Sequence, residues 1–406
     1  MLNHSKIAVL SLVALLFLVG CESNDENSET AIAELKDINS ALEVDLVWQE
    51  SAGAGIENYY SSLSPVVVDE KIFAASRAGQ VYAFEKSSGD EIWQSDIREN
   101  APTWWTRLML ETIKPAKLSG GITAAYGNLY MGTEDGDVIA MSQETGDVLW
   151  RAEVKGEVIV PPAAGEGWIA VSTTSGHVAA LHPDTGELRW QIETDVPALS
   201  LRGTAAPTIA NGGVLVGTAT GKLMVILLEK GIPAWEQAIA TIQGTTELER
   251  LIDSDTKPLV NGTSIYTISY NGNLAAMDMM SGRVMWKREY SSYRNLSLEL
   301  NTLYLTDVKG NVTAVDANSG IEKWTSSELY NRRLTQPVVY KDKIVVGDFE
   351  GYYHFLDKST GRLVARYQYL NGWLYGVEGA QAVPVVDGDI IYLQTRDGEV
   401  TALRLP

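Results

Sequence analysis

One phrase recurs along this chain and limits its possible folds more than any other feature. It consists of an apolar pair, a turn containing Gly, and Trp four residues after that glycine. It reads AFEKSSGDEIW to Trp93, AMSQETGDVLW to Trp150, ALHPDTGELRW to Trp190, VILLEKGIPAW to Trp235, AMDMMSGRVMW to Trp286 and AVDANSGIEKW to Trp324. A seventh copy, FLDKSTGRLVA, sets Ala365 where Trp is expected. A length of 406 residues would ordinarily suggest two or three domains, but self-similarity at a period of about 40 residues marks one repeat architecture. The 11 Trp against 5 Phe fit an indole used at a recurrent structural position.

Ahead of each phrase lie two alternating apolar runs joined by Asp-Gly, Asn-Gly or Ser-Gly, as in LYMGTEDGDVIAM and IYTISYNGNLAAM. These are hairpin signals. A short apolar strand such as Pro65–Val68 or Pro337–Val339 precedes them. Four strands in about 40 residues make a propeller blade. The last unit, AVPVVDGDIIYLQTRDGEVTALRLP, supplies three strands, and Leu42–Gln49 supplies a fourth strand without the other three. Pairing them gives an all-β, eight-bladed β-propeller over residues 42–406, its ring closed by the N- and C-terminal strands, with seven blades as the alternative. Closure removes sheet edges that would invite aggregation. Each Trp is expected to dock blade on blade, burying roughly 150–250 Å².

The first 20 residues carry Lys6 and then an apolar run from Ile7 to Val19, the layout of a signal peptide. About 20 apolar residues are needed to span a bilayer, so a retained transmembrane helix is disfavoured. The exit Leu18-Val19-Gly20-Cys21 resembles the bacterial lipobox, which implies that Cys21, the only cysteine, is acylated; Glu22 after it points to the outer membrane. Residues 21–41 then read as the lipidated Cys and a disordered acidic tether.

The net charge of −20 and the lack of a basic run disfavour nucleic acid and anionic lipid as partners. A single Cys cannot build a disulfide framework or a Cys-rich metal site. The Trp phrase resembles the repeat of quinoprotein dehydrogenases, which implies pyrroloquinoline quinone and a periplasmic dehydrogenase as an alternative. Those enzymes resemble longer chains with a cysteine pair, and HExxH, P-loop and GxSxG motifs are all missing here. His177 and His182 have no nucleophile or acid at motif spacing. The reading is therefore a binding protein, with no catalytic residue, no metal and no cofactor expected.

Excess length falls between blades, in residues 97–119, 238–257 and 366–380, and these connections leave the outer strands at one end. Loops on a rigid scaffold are where recognition concentrates, so that face is the expected binding surface. Two stretches on it stand out: Leu199-Ser200-Leu201-Arg202 before blade four and Asp253-Ser254-Asp255 before blade five. Leucines rimmed by a guanidinium and carboxylates have interface anatomy. The plainer alternative is an ordinary loop with a buried Leu pair and a local salt bridge.

The lipobox, the tether, the blades, and above all VPALSLRGTAAPT and TTELERLIDSDTKP followed by YNGNLAAMD resemble the BamB family of outer-membrane β-barrel assembly lipoproteins. That resemblance implies a scaffold subunit assisting insertion of β-barrel proteins into the outer membrane. It implies further that Leu199, Leu201, Arg202, Asp253 and Asp255 bind a periplasmic POTRA domain of BamA, alongside other subunits of the complex. Contact with unfolded barrel precursors by strand addition belongs to the same implication. The 97–119 loop with Trp104 and Trp105, the 366–380 loop, and Ala365 depart from the family pattern. A scaffold for another envelope complex stays open.

Overall fold

The computed structural model describes residues 31–38, 44–56, 59–98, 114–197, 204–240, 254–368, 379–380 and 382–405. Every regular element among them is a strand, and the 32 strands form eight four-stranded antiparallel sheets. Seven blades use consecutive strands: 66–96, 118–153, 163–193, 208–238, 259–289, 297–326 and 338–368. The eighth takes Val385–Asp387, Ile390–Gln394 and Glu399–Arg404 from the end of the chain and Asp45–Ser51 from its start. That closing strand begins three residues later than the sequence suggested, with Asp45 opposite Arg404 and Ser51 opposite Glu399.

The core lies between blades rather than within them. Middle strands such as Lys71–Ala75 and Gln80–Glu85 are buried on both faces, so they read as continuous apolar runs. Phe73, Ala75 and Val81 of blade one pack on Leu129, Met131 and Ile139 of blade two. Trp48, Tyr392, Val400 and Ala402 of blade eight pack on Ile72, Ala74, Tyr82 and Phe84 of blade one, which seals the ring.

The repeated phrase folds into a repeated joint. On each outer strand the residue before the Trp position is skipped in the register, as Ile92 is between Glu91 and Trp93 and Val47 is between Leu46 and Trp48. Such a bulge re-aims the next side chain. It sends Ile92 to solvent and Trp93 toward the neighbouring blade, where the indole lies against Gly146. Trp150 lies against Gly186 in the same way. Both glycines have positive φ, and a Cβ on either would fall within 2.6 Å of the ring, so the turn must be Gly. Each indole N–H also donates to a carbonyl of that turn, as Trp150 Nε1 does to Pro183 O at 2.8 Å and Trp190 Nε1 to Leu228 O at 2.6 Å.

Ala365 breaks the pattern for a reason the ring supplies. The third and fourth strands of blade eight come from opposite ends of the chain, so no glycine turn joins them to receive a ring. The space is taken by Leu405 and Tyr340, which form one cluster with the fully buried Ala365. The Leu405 N–H donates to Tyr340 Oη at 3.3 Å.

Residues 31–38, part of the stretch read from sequence as a tether, lie along blades six and seven. Main-chain groups of Ala31, Ala33 and Lys36 are held there by Asn331, Tyr330, Arg332 and Arg366. Polar composition argues against a core of its own, but it does not prevent a backbone from docking on preformed donors.

Candidate functional site on the loop face

The connections that enter each blade's first strand and the turns between second and third strands share one face of the ring. Asp255 is half-buried at the entry to blade five. Its neighbour Ser254 is buried, and its N–H donates to Thr218 O of blade four at 3.3 Å. Gly217 makes this approach possible, because a Cβ there would sit 2.0 Å from the Ser254 carbonyl oxygen. The described end of this connection, at Ser254, is thereby held against blade four.

Asp255 lines a polar depression with Thr173, His177 and Val196 of blade three and Thr204, Ala205 and Thr218 of blade four. The walls are rigid. Ser172 Oγ donates to the Ala205 carbonyl, Thr194 Oγ1 to Gly176 O at 2.9 Å, and His177 Nδ1 lies 3.0 Å from Ser175 Oγ. Of the residues singled out in the sequence, Asp255 is placed here. Leu199, Leu201, Arg202 and Asp253, like Cys21, lie outside the described residues. Val196 and Thr204 bracket the short connection that carries the first three, and both line the depression.

Several residues on this face were not singled out from sequence. Tyr59, Tyr60 and Tyr293 are each two-fifths to one-half exposed. Tyr60 stands ahead of blade one yet senses Asp255, Arg294 and Tyr293, so loops from opposite sides of the ring converge there. Burial raises its hydroxyl pKa, the Arg294 charge lowers it and Asp255 raises it further, leaving it above the ordinary tyrosine value. The Arg77 guanidinium lies 3.6 Å from the Tyr59 ring centroid and forms a bidentate pair with Glu134 of blade two, both bonds 2.8 Å. Tyr and Arg at a face centre are the residue types that anchor protein interfaces. No local motif announces them, since only the closed ring brings residue 60 to residue 294.

A buried ionic network occupies the same face between blades six and seven. Asp348, fully buried, accepts from Arg332 Nε at 2.6 Å and lies 2.8 Å from His354 Nε2. Arg332 also pairs with Glu350. Arg366 Nε donates to His354 Nδ1 at 3.3 Å, and since a guanidinium only donates, Nδ1 must be the unprotonated nitrogen. The histidine is therefore neutral, with its proton on Nε2 facing Asp348. Burial drives the His354 pKa down and the Asp348 charge only partly offsets it. Burial works against the Asp348 carboxylate, but His354 and Arg332 outweigh it and hold the pKa below the ordinary value.

The fold defines an eight-bladed β-propeller stapled by Trp-to-glycine joints. The family model described as outer membrane protein assembly factor BamB matches residues 37–104, 77–326 and 308–405, and the chain belongs to that family. The Shewanella oneidensis protein named outer membrane protein assembly factor BamB is 40% identical over 398 residues, covering 97% of each chain. The crystal structure of BamB from Moraxella catarrhalis superposes with a TM-score of 0.75 at 26% identity, covering 89% of this chain and all of that one. A quinohemoprotein alcohol dehydrogenase from Comamonas testosteroni also superposes, with a TM-score of 0.65 at 12% identity, covering 89% of this chain and 76% of that one. That likeness concerns the fold alone. The family role is that of an outer-membrane protein assembly factor.

Proposed function

We propose that the chain is a non-catalytic scaffold subunit of the outer-membrane β-barrel assembly machinery, anchored through Cys21 with its propeller in the periplasm. It docks through its loop face to a POTRA domain of BamA and assists insertion of barrel proteins. The observation that carries this reading is the meeting of Asp255 with Thr204 and Val196 in one depression. Val196 and Thr204, which bracket one sequence stretch, and Asp255 of the other thus border a single surface across blades three to five, which supports the reading. Leu199 and Leu201 supply the apolar anchor, and Arg202, Asp253 and Asp255 supply the charged rim.

The test is co-purification of BamA with the intact lipoprotein. Leu201→Glu or Arg202→Glu is expected to abolish it while thermal unfolding stays near that of the parent. Burying an unpaired charge at such an interface costs about 2–5 kcal/mol. Undiminished co-purification would remove the site from consideration.

A further inference from the structure

We propose that the blade-six and blade-seven sector of the loop face is a groove that reads extended peptide backbone, with the chain's own residues 31–36 as its resident ligand. This goes beyond the partner site proposed above, which falls on blades three to five of the same face. Among the described residues, the hydrogen bonds that hold the segment include four to its main chain. The Ala33 N–H donates to Tyr330 O at 3.0 Å, Asn331 Nδ2 to Ala31 O at 2.9 Å, Arg332 Nη1 to Ala33 O at 3.1 Å, and Arg366 Nη1 to Lys36 O at 3.2 Å.

Side chains of the segment follow the two-residue period of an extended strand. Ala33 and Leu35 are half-buried while Ile32, Glu34 and Lys36 are exposed. Leu35 packs on the cluster containing Tyr304, Leu329 and Leu334. The groove therefore asks for one apolar side chain and otherwise for backbone.

The groove does not depend on the segment for its shape. Each guanidinium is shared between a buried partner and the peptide. Arg332 gives Nε to Asp348 and keeps Nη1 for Ala33; Arg366 gives Nε to His354 and keeps Nη1 for Lys36. Asp348 and Glu350 pair with Arg332 from the propeller side, so its orientation is fixed from beneath. Charge is complementary as well, because the stretch from residue 22 to 40 holds six acidic residues against one Lys, and Asp37 acts on Arg366.

Occupancy shortens the leash. With residues 31–36 held, the stretch between Cys21 and the held segment shortens to residues 22–30, whose maximum reach is roughly 30 Å against roughly 65 Å for residues 22–40. That consequence rests on the lipid anchor proposed above. The groove itself does not.

The experiment uses the full chain with residues 31–38 replaced by Gly and Ser, and a fluorescein-labelled synthetic peptide of residues 29–40 followed by anisotropy. Saturable binding is expected to the replaced chain. Binding to the parent chain should be at least about tenfold weaker, since its own segment competes at an effective concentration in the millimolar range. Asn331→Ala with Arg366→Ala in the replaced chain, or Leu35→Asp in the peptide, should each weaken binding about tenfold. No saturable binding to the replaced chain, or equal binding to both chains, overturns the proposal. Trypsin cleavage after Lys36 is a second readout in the unreplaced chain. It should quicken about fivefold in Asn331→Ala, and an unchanged rate counts against the groove. Both readouts are independent of acylation, so a failed anchor and a failed groove give different results.

Discussion

The indole of Trp48 rests against Gly89, so closely that a Cβ on the glycine would lie 2.8 Å from two ring atoms. Trp48 stands near the start of the chain and pairs with Ala402 near its end, while Gly89 belongs to the first complete blade. One contact thus fastens three parts of the ring, and Trp48 Nε1 completes it by donating to Lys86 O at 2.9 Å. Trp48→Ala should lower stability by about 3–5 kcal/mol, the usual cost of emptying a large aromatic site. Denaturant midpoints measure this. Deleting Asp45–Ser51 should go further and cost the cooperative unfolding transition, because it exposes Tyr392, Val400 and Ala402 together.

The six interior joints are built alike and should respond alike. Trp190 is the case to test, since its N–H bond to Leu228 O is the shortest of them at 2.6 Å and Gly231 closes over its ring. Trp190→Ala is expected to cost about 3–5 kcal/mol. Gly231→Ala should cost about 1–3 kcal/mol by overpacking, with additional strain because φ is +65°. An unchanged midpoint for either variant would contradict blade-to-blade docking.

The ring was legible because its joint is local in sequence. Gly and Trp of one phrase sit four residues apart, and although each serves a different neighbour, six of the seven phrases repeat both halves. Closure was legible by subtraction, from three strands at one end and one at the other. The buried network was not legible. Asp348 and His354 lie six residues apart in an ordinary-looking hairpin, and only the fold brings Arg332 and Arg366 to them from either side. The same holds for Tyr60, which meets Asp255 and Arg294 only across the closed ring. The held segment 31–36 was missed because its contacts use main chain, which composition does not report.

Ala365 offers a test in the opposite direction. Restoring the repeat with Ala365→Trp looks like a consensus repair. The site, however, is already filled by Leu405 and Tyr340, and Ala365 has no exposed surface. The variant should lose about 1–3 kcal/mol through overpacking, and displacement of Leu405 could raise that figure. A gain in thermal stability would show that blade seven retains room for an indole.

The proposed anchor predicts a change of compartment without a change of fold. Replacing residues 1–21 with a secretory signal segment that is cleaved without lipidation, and so removing Cys21, should move the protein from the outer-membrane fraction to the soluble periplasmic fraction. Stable anchoring takes more than one acyl chain, each buried methylene contributing about 0.8 kcal/mol, so loss of the acylated Cys leaves nothing comparable. Fractionation with an intact-mass measurement decides it. Membrane retention of an unacylated chain would refute the anchor.

The network around Asp348 predicts a specific pH dependence. His354 has its pKa depressed in the folded protein, so below the ordinary histidine value of about 6.5 the unfolded chain binds a proton that the folded one refuses. Its contribution to stability is therefore complete above about pH 6.5 and declines as pH falls below that value. Asp348 is also depressed, but from an ordinary value near 3.8, so its contribution persists until pH drops below that point. The two windows are separate. His354→Gln keeps a side-chain N–H donor available to Asp348 and should flatten the stability profile as pH falls below about 6.5, while leaving the acid limb below about pH 3.8 in place. Asp348→Ala should behave differently, costing about 3–5 kcal/mol at neutral pH, because Arg332 would remain buried with its main counter-charge gone. Denaturant midpoints across pH 4–8 for the parent and both variants check all three expectations. A His354→Gln profile with the parent's slope just below about pH 6.5 would show that the histidine is not held neutral.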